Sequence, residues 1–108
     1  MGYQFQVLYP NDEGSSFNLD YYVNKHMPMV MERWGKFGLK GYTVTEYKPG
    51  ADGAKPKYSA AGFLFWDTAE DLQAALASQE DLTAIFADVP NYANVEPVVL
   101  SGPVVGSK

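Results

Sequence analysis

Cysteine is absent from the 108 residues, histidine occurs once, and Lys and Arg together number eight against thirteen Asp and Glu. Without thiols there is no disulfide, no cysteine-based zinc site and no cysteine nucleophile. Nothing calls for an oxidising compartment, so a cytoplasmic location is expected. The few cations are scattered and form no basic stripe for a phosphate backbone, which makes nucleic acid an unexpected partner. No apolar run approaches the roughly 20 residues of a membrane-spanning helix, so no membrane is expected either. Met1-Gly2-Tyr3-Gln4-Phe5-Gln6 has neither a basic segment followed by an apolar one nor the Ser or Thr of a myristoylation signal. One histidine without a His or Cys companion makes a poor metal site, so neither metal nor cofactor is expected. There is no G-x-S-x-G elbow, and Gly50-Ala51-Asp52-Gly53 lacks the spacing and the Lys-Ser/Thr of a phosphate loop.

What is present reads as one domain over residues 1–108, with a formal net charge of -5. So small a core gains from burying one face against a second subunit. Tyr3, Phe5, Val7 and Tyr9 alternate with Gln4 and Gln6, which predicts a first strand. After a loop over 10–16, Asn18 suits an N-cap and Asp20 complements the helix dipole, so a helix should run from Leu19 to Trp34 with Gly35 as its stop. Lys40–Tyr47 and Tyr58–Trp66 read as strands joined by a polar hairpin loop. Thr68-Ala69-Glu70-Asp71 and Ser78-Gln79-Glu80-Asp81 resemble capping boxes and predict two short helices. The second carries Leu82, Ile85, Phe86 and Val89 at helical spacing and ends at Pro90. Pro97–Val105 supplies the last strand.

The order β-α-β-β-α-α-β predicts an α+β ferredoxin-like sandwich, one antiparallel sheet with helices on one face. Phe63 and Phe65 point one way and Leu64 and Trp66 the other, and Val98 and Leu100 oppose Val99 in the same manner. A sheet with a wet face should alternate apolar and polar residues. The second face is therefore expected to be buried against another copy of the chain, although Gln4 and Gln6 place amides there.

At about 100° per residue, Leu19, Tyr22, Val23, His26, Met27, Val30, Arg33 and Trp34 share one side of the long helix. His26 lies near the middle of that stripe. Burial disfavours its charged form and leaves a neutral ring suited to general-base work. Pro28 sits mid-helix on the outer side, where its missing N–H should free the carbonyl of Asn24 and bend or open the helix just after His26. Tyr22, Met27 and Trp34 would line a cleft at that point. The plainer alternative is a packed histidine, bonded to a carbonyl or a tyrosine. Asp88 or Tyr92, in Asp88-Val89-Pro90-Asn91-Tyr92, could orient His26 at the pocket mouth, while turn chemistry alone also explains that segment.

Phe17-Asn18-Leu19-Asp20-Tyr21-Tyr22, His26-Met27-Pro28, Arg33-Trp34-Gly35 and Gly41-Tyr42 together resemble the EthD family, named for ethyl tert-butyl ether degradation. Phe65-Trp66-Asp67, Gln73-Ala74-Ala75-Leu76 and the segment 88–92 extend the likeness over nearly the whole chain. The resemblance implies a dimeric α+β barrel in which two ferredoxin-like subunits pack sheet against sheet. Relatives of that fold include cofactor-independent oxygenases, decarboxylases, cyclases, isomerases and some haem-binding enzymes. The histidine of the family motif maps onto His26. The expectation is a homodimer holding a small, largely apolar or aromatic ligand, with His26 as catalytic base and Tyr22, Met27, Trp34, Asp88 and Tyr92 around the ligand. Haem with His26 as axial ligand, and a non-enzymatic accessory protein, are the alternatives.

Overall fold

The computed structural model describes residues 2–108. Four strands, β1 (Tyr3–Pro10), β2 (Gly41–Glu46), β3 (Tyr58–Trp66) and β4 (Val98–Pro103), form one antiparallel sheet in the order β2-β3-β1-β4. That order and the helices between the strands make the fold ferredoxin-like α+β. Helix α1 covers residues 19–34, α2 is Ala69–Ala77 and α3 is Gln79–Ala87, followed by a 3₁₀ turn at Val89–Asn91.

Register sets the two faces of the sheet, because residues opposite one another in a ladder point the same way. Phe5 pairs with Leu64, Tyr3 with Trp66 and Val7 with both Gly62 and Val99. Phe5, Val7, Tyr9, Leu64 and Trp66 are buried beneath the helices, with Tyr22, Met27, Val30 and Trp34 of α1 packed onto them. The other face carries Gln4, Gln6 and Leu8 beside Phe63, Phe65, Val98 and Leu100. Leu100 is 53% exposed there, and the Gln6 amide donates to that of Gln4.

Helix α1 starts where the sequence places it, with the Asn18 side chain accepting from the Tyr21 N–H at 3.1 Å. Its middle is a π-helical turn, Tyr22–His26, in which the Met27 N–H reaches the Tyr22 carbonyl, before α-helix resumes at Met27–Trp34. Pro28 supplies the reason: it cannot donate to Asn24, so the preceding turn widens by a residue rather than leave the backbone clashing with the ring. The wider turn keeps Tyr22 and His26 inward and rotates Val23 out, so that Val23 leaves the predicted stripe and stands 40% exposed.

Three local expectations are corrected. Gly35 does not stop the chain, because its φ of -56° is helical and a 3₁₀ turn continues to Phe37. Gly38, at φ 89°, is the left-handed residue that ends it. Thr68 caps α2 by accepting from the Asp71 N–H at 3.1 Å, but Ser78 caps nothing with its side chain. Its hydroxyl donates instead to Asp81, which turns inward to meet Arg33 and Lys36. Helix α3 ends at Ala87, before Val89 and Pro90, which belong to the 3₁₀ turn.

Candidate functional site

His26 is 4% exposed and lies between α1 and the sheet. The π turn places its ring parallel to that of Tyr22, centroids 5.4 Å apart and planes 14° from parallel. Its Nδ1 is 2.9 Å from Oδ2 of Asp88, the residue that closes α3, and its Nε2 is 3.2 Å from the hydroxyl of Tyr92. The Tyr92 hydroxyl in turn pairs with that of Tyr9, the last inward residue of β1. Asp88 also accepts from the Tyr21 hydroxyl and from the Asn91 amide, each at 2.8 Å.

Electrostatics fixes the protons in this chain. Burial would raise the Asp88 carboxyl, but hydrogen bonds from His26, Asn91 and Tyr21 outweigh it and hold the group below the ordinary carboxylate range. Burial lowers His26 below its ordinary 6.5, and the bond and charge of Asp88 offset this only in part. At neutral pH an ionised Asp88 thus faces a neutral imidazole. Asp88 can only accept, so Nδ1 carries the hydrogen and Nε2 is bare. Nε2 then accepts from Tyr92, and Tyr92 from Tyr9. Burial pushes the Tyr9, Tyr22 and Tyr92 phenols up, so they stay protonated and able to donate. The result is a directed row of donors running from Tyr9 through Tyr92 to His26 and on to Asp88.

His26 also borders a cavity of about 20 Å³, room for a water molecule but not for an organic ligand. Tyr9, Tyr22, Met27, Trp34 and Phe86 are among its walls. Tyr22, Met27 and Trp34 therefore meet His26 at one cavity, whereas Asp88 and Tyr92 touch the imidazole without lining that space. Trp34 packs edge-on to Phe5 at 6.0 Å and against Trp66 at 5.7 Å. Its Nε1–H is the one buried side-chain donor without a partner among the described residues.

Tyr9, Tyr21, Asn91 and Gly62 complete the arrangement and escape the sequence reading. Tyr9 is legible only as the end of an alternating strand, and Tyr21 falls on the outer side of an ideal helix. Gly62 has a steric purpose, because a Cβ there would collide with the Tyr22 hydroxyl and come 3.4 Å from its Cζ. Among the described residues no three His, Cys, Asp or Glu converge as a metal site, and no helix is long and apolar enough to cross a membrane.

No protein-family model and no curated protein matches the chain. Solved structures do. An EthD-like protein from Ralstonia eutropha is 33% identical over 99% of this chain and 95% of its own, with a TM-score of 0.87. An ethyl tert-butyl ether degradation (EthD) family protein from Bacillus halodurans is 22% identical over 97% and 100% respectively, at TM-score 0.73. A dimeric ferredoxin-like protein of unknown function from Thermobifida fusca shares the fold at 17% identity, 96% and 92% coverage and TM-score 0.52. With a third of its residues identical to an EthD-like protein along almost the full length of both, the chain belongs to the EthD family.

Proposed function

We propose that the chain acts as a homodimer that binds a small, flat, largely apolar or aromatic molecule between α1 and the sheet, with His26 as general base. The observation that carries this reading is the imidazole itself: buried, neutral, oriented through Nδ1 by an ionised carboxylate, and without a hydrogen at Nε2, which accepts from the Tyr92 hydroxyl. That is the arrangement a base requires in order to take a proton and share the resulting charge with Asp88. The Tyr92 and Tyr9 hydroxyls connect Nε2 to the cavity, since Tyr9 lines it. The apolar outer sheet face and the dimeric ferredoxin-like neighbour support the homodimer. The cysteine-free composition suits a cytoplasmic setting.

A cavity of about 20 Å³ means that ligand binding must part the walls, Met27 and Phe86 being the most adaptable. Haem is less well suited than a small flat ligand, because a porphyrin would displace far more of the packed walls and, as an iron ligand, His26 would give up its bond to Tyr92 or to Asp88.

The test uses 1-phenylbutane-1,3-dione, a flat aromatic diketone with an acidic carbon-bound proton. The protein should bind it and speed deuterium exchange at the central carbon, followed by proton NMR, and His26→Ala should lose about 10² or more of that acceleration. Binding without exchange would turn the reading into that of an accessory binding protein. No binding at all would remove it.

A further inference from the structure

The inward side of β4 is not covered: Val99, Ser101 and Pro103, opposite Val7, Phe5 and Tyr3, are all exposed. Val99 pairs with Val7 and so shares the helix side of the sheet, yet it is 43% exposed where Val7 is buried. The space beside Val99 is a groove of about 580 Å³ whose walls include Phe86, Val89, Ala93, Val95, Pro97 and Val99. Phe86 and Val89 also wall the cavity next to His26. Two side chains thus stand between a ligand-sized apolar groove and the imidazole.

Resting on the function proposed above, we infer that the groove between β4 and the segment 86–97 is where the apolar ligand is received, and that Phe86 is the residue governing its passage to His26. The groove is of the size that holds a small organic molecule, whereas the inner cavity is not. Phe86 is only half-buried and belongs to the last turn of α3, so its ring can swing about χ1 without breaking a strand pairing. The polar groups of the groove narrow the ligand class. Glu96 is its sole charged wall residue, and Asn94 is committed, its amide donating to the Gly14 carbonyl and accepting from the Ser16 N–H. A groove with one carboxylate and no cation selects neutral ketones or phenols and disfavours aromatic carboxylates.

Stopped-flow absorbance with 1-phenylbutane-1,3-dione tests this. Phe86→Ala should raise the association rate about tenfold and Phe86→Trp should lower it by about as much, as expected of a side chain that gates the passage. The anion 2-naphthoate should compete poorly. Thermal unfolding of each variant checks the fold, and Val89→Ala, a smaller change in the same partition, should also quicken association. If the wild type binds and exchanges the diketone but substitutions at 86 and 89 leave the association rate unaltered, the passage is elsewhere and the function of His26 stands. If 2-naphthoate displaces the diketone as well as a neutral naphthalene does, the assignment to neutral ligands falls. Absence of diketone binding by the wild type and Phe86→Ala alike would overturn both this inference and the reading beneath it.

Discussion

Helix α3 holds an inward aspartate at each end, and the two ends behave differently. Asp81, in the first turn, meets Arg33 at 3.0 Å, Lys36 at 2.9 Å and the Ser78 hydroxyl at 2.8 Å. Asp88, closing the helix, meets His26 at 2.9 Å and the Tyr21 and Asn91 side chains at 2.8 Å. Each carboxylate accepts three bonds, and both tie α3 to α1. Asp81 lies at the positive end of the helix dipole with two permanent cations, and its donors hold the carboxyl down at about 2. Asp88 lies at the negative end, where a carboxylate is disfavoured, and its one ionisable base is an imidazole kept neutral by burial. A charge locked between fixed partners can only hold structure. A carboxylate against a base that can gain a proton can take part in chemistry.

The contrast breaks most visibly under paired substitution. Asp88→Asn should lower diketone exchange by about 10², because the amide no longer stabilises the imidazolium, while costing only about 1 kcal/mol of stability for an altered hydrogen bond. Asp81→Asn should do the reverse, lowering the urea midpoint and leaving exchange as it was. Equal effects of the two on exchange rates would erase the distinction. A smaller but still marked effect is expected from Gly62→Ala, which crowds only the His26 end. The new methyl must displace the Tyr22 ring from its place beside the imidazole, at a cost of about 1–3 kcal/mol in urea unfolding. An alanine variant of wild-type stability would mean that the Tyr22 ring is free to move.

The difference between the two ends also marks how far the sequence could be read. The alternation in β1 and the double-faced apolar pattern of β3 and β4 carry the sheet, because a period of two survives any tertiary context. His26 is legible as a polar residue within an apolar stripe, and Pro28 as a local opening of the helix. That the opening is a π turn, which turns Val23 outward, depends on how the backbone relieves the proline and leaves no periodic trace. Asp88 and Tyr92 could be named as neighbours of His26 but not distinguished from turn residues, since the separation along the chain is more than 60 residues. Asp81 reads as part of a capping box, the commonest use of such a spacing. Only the convergence of Arg33 of α1 and Lys36 of the 3₁₀ turn that follows it turns it inward. The size of the cavity is likewise invisible, being a small remainder between large side-chain volumes.

The gentlest way to sharpen the comparison is acid. His26 folds with its pKa below 6.5, chiefly because burial penalises the imidazolium, so the unfolded chain takes up that proton first as pH falls. Stability from this end is therefore full above pH 6.5 and declines as pH drops from there through the folded value. The carboxylates act in the same direction but later. Asp81 and Asp88 are both depressed from 3.8, Asp81 to about 2, so their contribution persists until pH falls below about 4 and is lost through their folded values. Urea midpoints measured from pH 7.5 to pH 3 should thus fall in two stages, the first vanishing in His26→Gln and the second shrinking in Asp81→Asn. A wild-type midpoint that rises between pH 7 and pH 5 would have the opposite sign. It would show that the Asp88 charge, rather than burial, governs His26, and that the imidazole rests as a cation, as unavailable for taking a proton as Arg33 is at the other end of the helix.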